Sequence, residues 1–403
     1  MKIVLVWLCF CCAALVSCVQ QDISSVARKD FFTVDIGRLE DQIDLFNLTG
    51  SRSARKTAIA MRDGLLYLSN GNGEKVVRYT SYGDLLFMIY NEETNPPPLT
   101  LRPQGDGAGV ATRWAVSYPL REPGEIAVDS RKHIYVEDRF PPERQSFDGE
   151  QRALLDSMVL HFDADGRFVE YLGQEGIGGT PFPRITGMYS SIQDELAVIC
   201  RLPQGWNCYW FDRDGTLLYV IKLMDDRIPI PQDRAQVFFS VDAIMAAPDA
   251  RKLFMKVNYY RNIYDESTGT PAGSEPDSSV IWIMNIEDGS YSGMVEVPFF
   301  EFTSTENNRR VTENLLYSML GVIREGRVFL SFPIETGYSL LVLATESPEL
   351  EHRRGFIPVA AEELQYNTFS LSEDGILTGL LATDWEARLV WWRTDRLLTE
   401  SHQ

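Results

Sequence analysis

Short runs in which apolar and polar residues alternate recur along most of this chain, separated by clusters of Gly, Asp, Asn and Pro. A period of two places successive side chains on opposite faces of a strand, so each run predicts a β-strand. Residues 122–183 show the unit. Glu125-Ile126-Ala127-Val128-Asp129 alternates, Ser130 to His133 forms a tight turn, and Ile134-Tyr135-Val136-Glu137-Asp138 alternates again. After a polar insertion come Met158 to Asp163, the turn Ala164-Asp165-Gly166-Arg167, and Phe168 to Gly173. Four strands joined by turns, with no helical periodicity between them, make one blade of a β-propeller.

The same plan fits the rest of the chain. Residues 57–90 hold Thr57–Met61, Leu65–Ser69, Lys75–Tyr79 and Leu85–Tyr90, and residues 185–223 hold Leu196–Arg201, Asn207–Asp212 and Leu217–Leu223 as later strands. Residues 240–297 and 317–357 each supply four more runs. The last unit has three: Thr368–Ser372, Ile376–Ala382 and Arg388–Trp392. Phe31-Phe32-Thr33-Val34-Asp35-Ile36 lies outside every other unit and is the expected fourth strand of that blade. Pairing the chain ends would remove exposed sheet edges. The expectation is an all-β, six-bladed β-propeller of four-stranded antiparallel blades, closed by an N-terminal strand. A seventh blade would need a pair of strands in 298–314, where the pattern shows no second one.

Pro123-Gly124-Glu125-Ile126-Ala127-Val128-Asp129 through Ile134-Tyr135-Val136-Glu137-Asp138 resembles the opening of an NHL repeat. His161-Phe162-Asp163-Ala164-Asp165-Gly166-Arg167-Phe168 and Gly173-Gln174-Glu175-Gly176-Ile177-Gly178-Gly179 resemble its second half. Over its length the chain is similar to bacterial six-bladed β-propeller lipoproteins of the spirochaetal type.

The chain opens with Lys2 and an unbroken apolar run from Ile3 to Val16, too short to span a bilayer, followed by Ser17-Cys18. Leu15-Val16-Ser17-Cys18 resembles the bacterial lipoprotein signal, which implies acylation of Cys18 and attachment to an envelope membrane. Two or three acyl chains, at ~0.8 kcal/mol per buried methylene, suffice for stable anchoring. Val19 follows instead of the aspartate that would suggest inner-membrane retention in some diderm bacteria, which fits an outer-membrane address and leaves the membrane face open. The expected organisation is a signal peptide over 1–17, a lipid-anchored polar tether over 18–30, and one propeller domain over 31–403. The formal net charge of −19, with no basic run, excludes nucleic acid as a partner.

Within a blade, the strand 1–2 and 3–4 turns share one face of the ring, and the 2–3 loops and 4–1 connections share the other. The first set is tight throughout, as in Arg62-Asp63-Gly64, Glu325-Gly326 and Glu373-Asp374-Gly375. The second holds every insertion: 91–116, 139–157, 224–239, 261–278 and 298–316. One-sided insertions mark a binding face in repeat architectures. The candidate binding residues are Arg113, Trp114, Arg139, Phe140, Trp206, Tyr260 and Arg261, since aromatics and arginine dominate interface energetics. Their charge suits an envelope protein or a small anionic ligand.

No coherent catalytic set is present. The runs Asp163–Gly166 and Asp212–Gly215 lack the ligand spacing of a calcium loop and read as hairpin turns. His133, His161, His352 and His402 form no zinc spacing, so no metal or cofactor is expected. The alternative reading is a metal-dependent lactonase-like hydrolase with carboxylates such as Asp129 and Asp242 around the channel, although Asp129 also fits a turn-capping role. Cys200 and Cys208 flank Leu202 to Trp206 on neighbouring strands, and a hairpin symmetric about Gln204 would set them opposite each other as a disulfide. The favoured function is non-catalytic binding through the insertion face.

Overall fold

The computed structural model describes residues 24–46, 55–103, 113–231, 237–265, 267–306, 309–346 and 352–399. The signal segment and Cys18 lie outside the described residues.

Five sheets are each built around four antiparallel strands taken in chain order. Their inner strands, those nearest the ring axis, are Thr57–Arg62, Ile126–Val128, Ile185–Ser190, Phe238–Ala246 and Ser318–Ile323. The closing sheet is composite: Tyr366–Leu371, Leu377–Ala382 and Glu386–Trp392 are completed by Arg28–Asp35 from the other end of the chain. The six units expected from the sequence thus divide into five blades continuous in the chain and one composite sheet. Each inner strand packs against the next, and Tyr366–Leu371 touches both Ser318–Ile323 and Thr57–Arg62, so the circuit closes. The molecule is a β-propeller.

Apolar side chains on facing sheets interlock between neighbours. Tyr67, Phe87, Ile134, Leu160 and Phe162 fill the space between the first and second blades, and Leu340, Leu381, Val390 and Trp392 that between the fifth blade and the closing sheet. At about 1.5–3 kcal/mol per fully buried large side chain, these wedges dominate the stability of the ring.

The turn chemistry follows the sequence. Asp63 and Gly64 both take positive φ, +50° and +73°, the two-residue hairpin geometry that Asp-Gly favours. Asp163 Oδ1 accepts from the N–H groups of Asp165 and Arg167, and Asp212 Oδ1 from those of Asp214 and Thr216, so these carboxylates serve as turn caps.

Three expectations are corrected. The Leu196–Leu202 and Gly205–Phe211 hairpin turns on Pro203 and Gln204 alone, with Leu202 paired to Gly205. Gly205 sits at φ +148°, where a Cβ would meet the Leu223 carbonyl oxygen at 2.2 Å. This moves the register by one residue: Cys200 opposes Asn207 and Cys208 opposes Ile199. A one-residue shift puts the two thiols on opposite faces of the sheet, so they remain free and buried in separate cores, and no disulfide forms. Burial pushes both thiols above their ordinary range.

Second, the tether region is structured from Ser24 onward. Ser24 and Ser25 pair in parallel with Gly355 and Phe356 on the outer edge of the fifth blade before the closing strand begins at Arg28. Third, the stretch after residue 297 does contain two strands, Phe300–Glu306 and Arg309–Leu315, but they form an isolated hairpin and no further blade.

Candidate functional site

The insertions are mostly β-hairpin arms. Ser146–Asp148 pairs with Ala153–Leu155, and Phe300–Glu306 with Arg309–Leu315. In the fourth blade the strands Lys252–Tyr264 and Pro271–Asn285 run 13 and 15 residues, about twice the usual strand length, so their paired ends project beyond the sheet. Apolar side chains on these arms face outward: Phe147 is 68 % exposed, Tyr264 56 % and Phe302 49 %. Trp385, in the 2–3 turn of the closing sheet on the same face, is 82 % exposed. Exposed apolar residues also occur elsewhere, as at Tyr82 in a 3–4 turn, 88 % exposed, so what sets this face apart is that several of its exposed apolar residues sit on projecting arms.

The candidate residues taken from the sequence do not form one cluster. Arg139 ends the strand Ile134–Arg139 on the insertion face, ion-paired to Asp156 and lying 3.8 Å from Glu122 and 3.9 Å from Glu137. The Trp206 ring carries the Arg201 guanidinium 3.6 Å from its centroid. Tyr260 stacks on Phe238 at 5.5 Å, and Arg261 bonds Glu275 at 2.6 Å. Arg139, Tyr260 and Arg261 sit around the insertion face, whereas Trp206, at the same end of its blade, is buried in the core between the third and fourth blades.

Phe140, only 2 % exposed and packed edge-on to Tyr171 at 5.4 Å, likewise belongs to the core. Arg113 and Trp114 lie toward the turn face instead: Arg113 bonds Asp84 at 2.8 Å and the Trp114 indole N–H donates to the Asp165 carbonyl at 2.6 Å, both acceptors being in 3–4 turns. The chain after Tyr90 passes down the outside of the first blade and returns as Trp114–Ser117, parallel to Phe87–Tyr90, which covers that outer edge. Arg113, Arg139 and Arg261 are all matched to carboxylates, so they leave no surplus positive charge for an anion.

Charged groups lie near the inner strands, Glu125, Glu137 and Lys256 beside the already named Asp129 and Asp242. Glu125, just before the second blade's inner strand, lines the axial cavity and pairs with Lys56. Glu137, on the neighbouring strand, accepts from the Glu125 N–H at 3.1 Å, and any Cβ at Gly124 would come within 2.4 Å of it. Across the ring, Asp242 occupies a bulge between Val241 and Ala243 and accepts from the Met319 N–H at 3.0 Å. Lys256 lies 3.4 Å from it, fully buried, and donates to Asn258 Oδ1 at 2.7 Å. Asp129 is a buried turn cap, accepting from the His133 N–H and from Arg131, both at 2.8 Å. The two carboxylates named for the lactonase-like reading therefore lie in different settings, each with its own cation, and among the described residues no three His, Cys, Asp or Glu side chains converge as a metal site.

His133 and His161 do meet. Their Nδ1 and Nε2 atoms are 2.8 Å apart with ring centroids at 5.0 Å, and Glu170 holds the far side of His161 at 3.2 Å. A centroid separation that large at that contact means the nitrogens point at each other. They share a proton and do not converge on a common metal position.

Burial raises the Glu137 carboxyl to about 7 from its ordinary 4.5. The folded state then holds a proton that the unfolded chain releases, so this contribution is full below pH 4.5 and is lost as pH rises through 7. Glu137→Gln keeps a carbonyl for the Glu125 N–H and removes that dependence. Urea midpoints should match wild type near pH 4.5 and favour the variant at pH 8, by on the order of 3 kcal/mol at most. A difference that is constant with pH would show that folding does not raise the Glu137 carboxyl.

No family model matches the chain, and no curated protein matches it. Among solved structures it is similar to the β-propeller domain of the Trilobed protease from Pyrococcus furiosus, described as having an open velcro topology. That match has 12% identity and a TM-score of 0.39, covering 85% of this chain and 95% of that one. It is also similar to a luciferin-regenerating enzyme, with 10% identity and a TM-score of 0.35, covering 84% of this chain and 90% of that one.

Proposed function

We propose that this protein is a lipid-anchored bacterial envelope propeller of NHL-like type that binds an envelope protein through its insertion face and carries out no chemistry there. The closing sheet counts as its sixth blade, since its inner strand packs on both neighbours. The observation that carries the reading is the set of hairpin arms on one face with outward apolar side chains, Phe147, Tyr264 and Phe302 among them. A protein partner suits this surface better than a small anion, because Arg139 and Arg261 there are already paired with carboxylates.

Two measurements test it. Labelled palmitate should enter the wild type and not Cys18→Ala; equal labelling of both removes the anchor. In-envelope cross-linking followed by capture should recover a defined partner from wild type. The triple variant Phe147→Ser, Tyr264→Ser, Phe302→Ser alters only exposed positions and should recover at least tenfold less. Undiminished recovery would place the interface elsewhere.

A further inference from the structure

His133 and His161 meet at the seam between the second and third blades. The His161 ring stacks on Tyr135 at 4.6 Å, and Tyr135 belongs to the core between those two blades. Glu170, paired directly opposite His161 on the outer strand, lies 3.2 Å from His161 Nδ1. A carboxylate only accepts, so that nitrogen carries the proton. In the neutral ring Nε2 is then a bare acceptor, and the 2.8 Å contact requires His133 Nδ1–H to donate to it. Glu170 thereby fixes both tautomers. Nε2 of the half-buried His133 is left as the open basic nitrogen.

An order of protonation follows from this chain. A first proton enters at His133 Nε2. His133 Nδ1–H still donates to His161, now from a cationic ring, and the bond strengthens. A second proton has only His161 Nε2 to occupy, which sets N–H against N–H between two cations and breaks the contact. Burial opposes that step as well, holding the His161 imidazolium below its ordinary range. The charged groups around the pair on its own blade are Asp129, Glu170, Arg131 and Lys132. The third blade adds Asp194 from its 1–2 turn, and Asp212 and Arg213 from its 3–4 turn. Carboxylates outnumber cations there, so one added proton is accommodated.

The turn that carries His133 also joins the two blades. Ser130 donates to Asp194 through its N–H at 2.8 Å and its hydroxyl at 2.9 Å, and Arg131 donates to the Arg213 carbonyl at 3.1 Å. Those bonds are exposed and water competes for them, whereas the ring contact is partly buried.

We propose that Glu170, His161 and His133 form an acid-sensitive clasp at this seam, which holds while the two rings carry no added proton or one, and opens on the second. It lies on the turn face, apart from the hairpin arms, and does not depend on what they bind.

Imidazole ¹⁵N shifts of the labelled protein, followed from pH 8 to 4.5, read tautomers and steps directly. Both rings should be Nδ1–H tautomers at pH 8. His133 should protonate first, and His161 only at lower pH. Across the His161 step, exchange protection of the Ser130 and His133 amides, corrected for intrinsic rates, should fall at least tenfold. His133→Asn sets a side-chain N–H near the position of Nδ1 and cannot titrate, so its protection should stay within twofold over the same range. An Nε2–H tautomer on either ring at pH 8 overturns the proposal, as does His161 protonating with or before His133. So does wild-type protection that holds through the His161 step, or an equal fall in His133→Asn. Should that variant fold poorly, the wild-type titration and exchange decide alone.

Discussion

A chain that begins at Ile36, lacking the closing strand, is expected to lose its cooperative unfolding transition and to aggregate. Arg28–Asp35 pairs along Glu386–Trp392 from Arg28 opposite Trp392 to Asp35 opposite Glu386. Removing it bares that whole strand, whose backbone groups would then be free to pair with another molecule. Side-chain losses add to this. Phe31 stacks on Trp391 with centroids 5.4 Å apart and planes 11° from parallel, and Val34 is buried in the core between the closing sheet and the first blade. Arg28 also forms a two-pronged pair with Glu363, at 2.5 and 2.8 Å, and Glu363 is almost fully buried. The Arg28 guanidinium holds the Glu363 carboxyl below its usual range despite burial. Light scattering and a urea transition followed by tryptophan fluorescence would report both effects. A chain beginning at Arg28 loses the pairing of Ser24 and Ser25 with the fifth blade and the buried Val26, whose N–H donates to the Phe356 carbonyl, but keeps the closing strand, and should stay soluble with a lower midpoint. If the chain beginning at Ile36 remained monomeric with an unchanged midpoint, the ring would be held closed by some other contact.

The closing strand was legible because Phe31 to Ile36 alternates strongly and has no partner nearby in the chain, so the propeller's need for a fourth strand identifies it. Strand positions were legible for the same reason: Leu85–Tyr90 and Phe168–Gly173 carry turn residues on both sides, and their observed limits match the pattern. The arms were not. Residues 261–275 and 300–315 are polar enough to read as solvated loops, because a two-stranded arm exposed on both faces has no core side to generate alternation. The cysteines show how little error suffices. A two-residue turn in place of a wider one leaves every strand in position and still sends Cys200 and Cys208 to opposite faces. The placement of Trp114–Ser117 on the outer edge of the first blade was hidden for a different reason. Nothing in Arg113-Trp114 tells whether a segment stays on its face or returns down an outer edge, since that is decided by which backbone groups remain unpaired in space.

Lys256 lies inside the apolar run Leu253-Phe254-Met255-Lys256-Val257, and the ring explains it. The strand alternates sides: Met255 and Val257 fill the core toward the third blade, while Lys256 points the other way, to the bulged Asp242 beside Met319 of the fifth blade. A bulge re-aims one side chain without disturbing the rest of its strand, and here it delivers the counter-charge. Burial lowers the Lys256 ammonium from its ordinary range, and Asp242 opposes that shift. Removing one partner of a buried pair strands the other, which typically costs 3–5 kcal/mol, whereas replacing both with neutral groups of similar shape is often close to neutral. Lys256→Ala should therefore lower stability in urea by about 3 kcal/mol, the lower part of that range because Asp242 keeps some solvent contact and the Met319 N–H. The double variant Lys256→Met, Asp242→Asn should recover most of the loss, since asparagine still accepts from Met319 and methionine refills the lysine's volume. A loss below about 1 kcal/mol in Lys256→Ala would mean that the pair contributes no more than a surface contact. A double variant no better than the single one would mean that packing around the lysine stem, and not the charge pair, joins the fourth and fifth blades at this point.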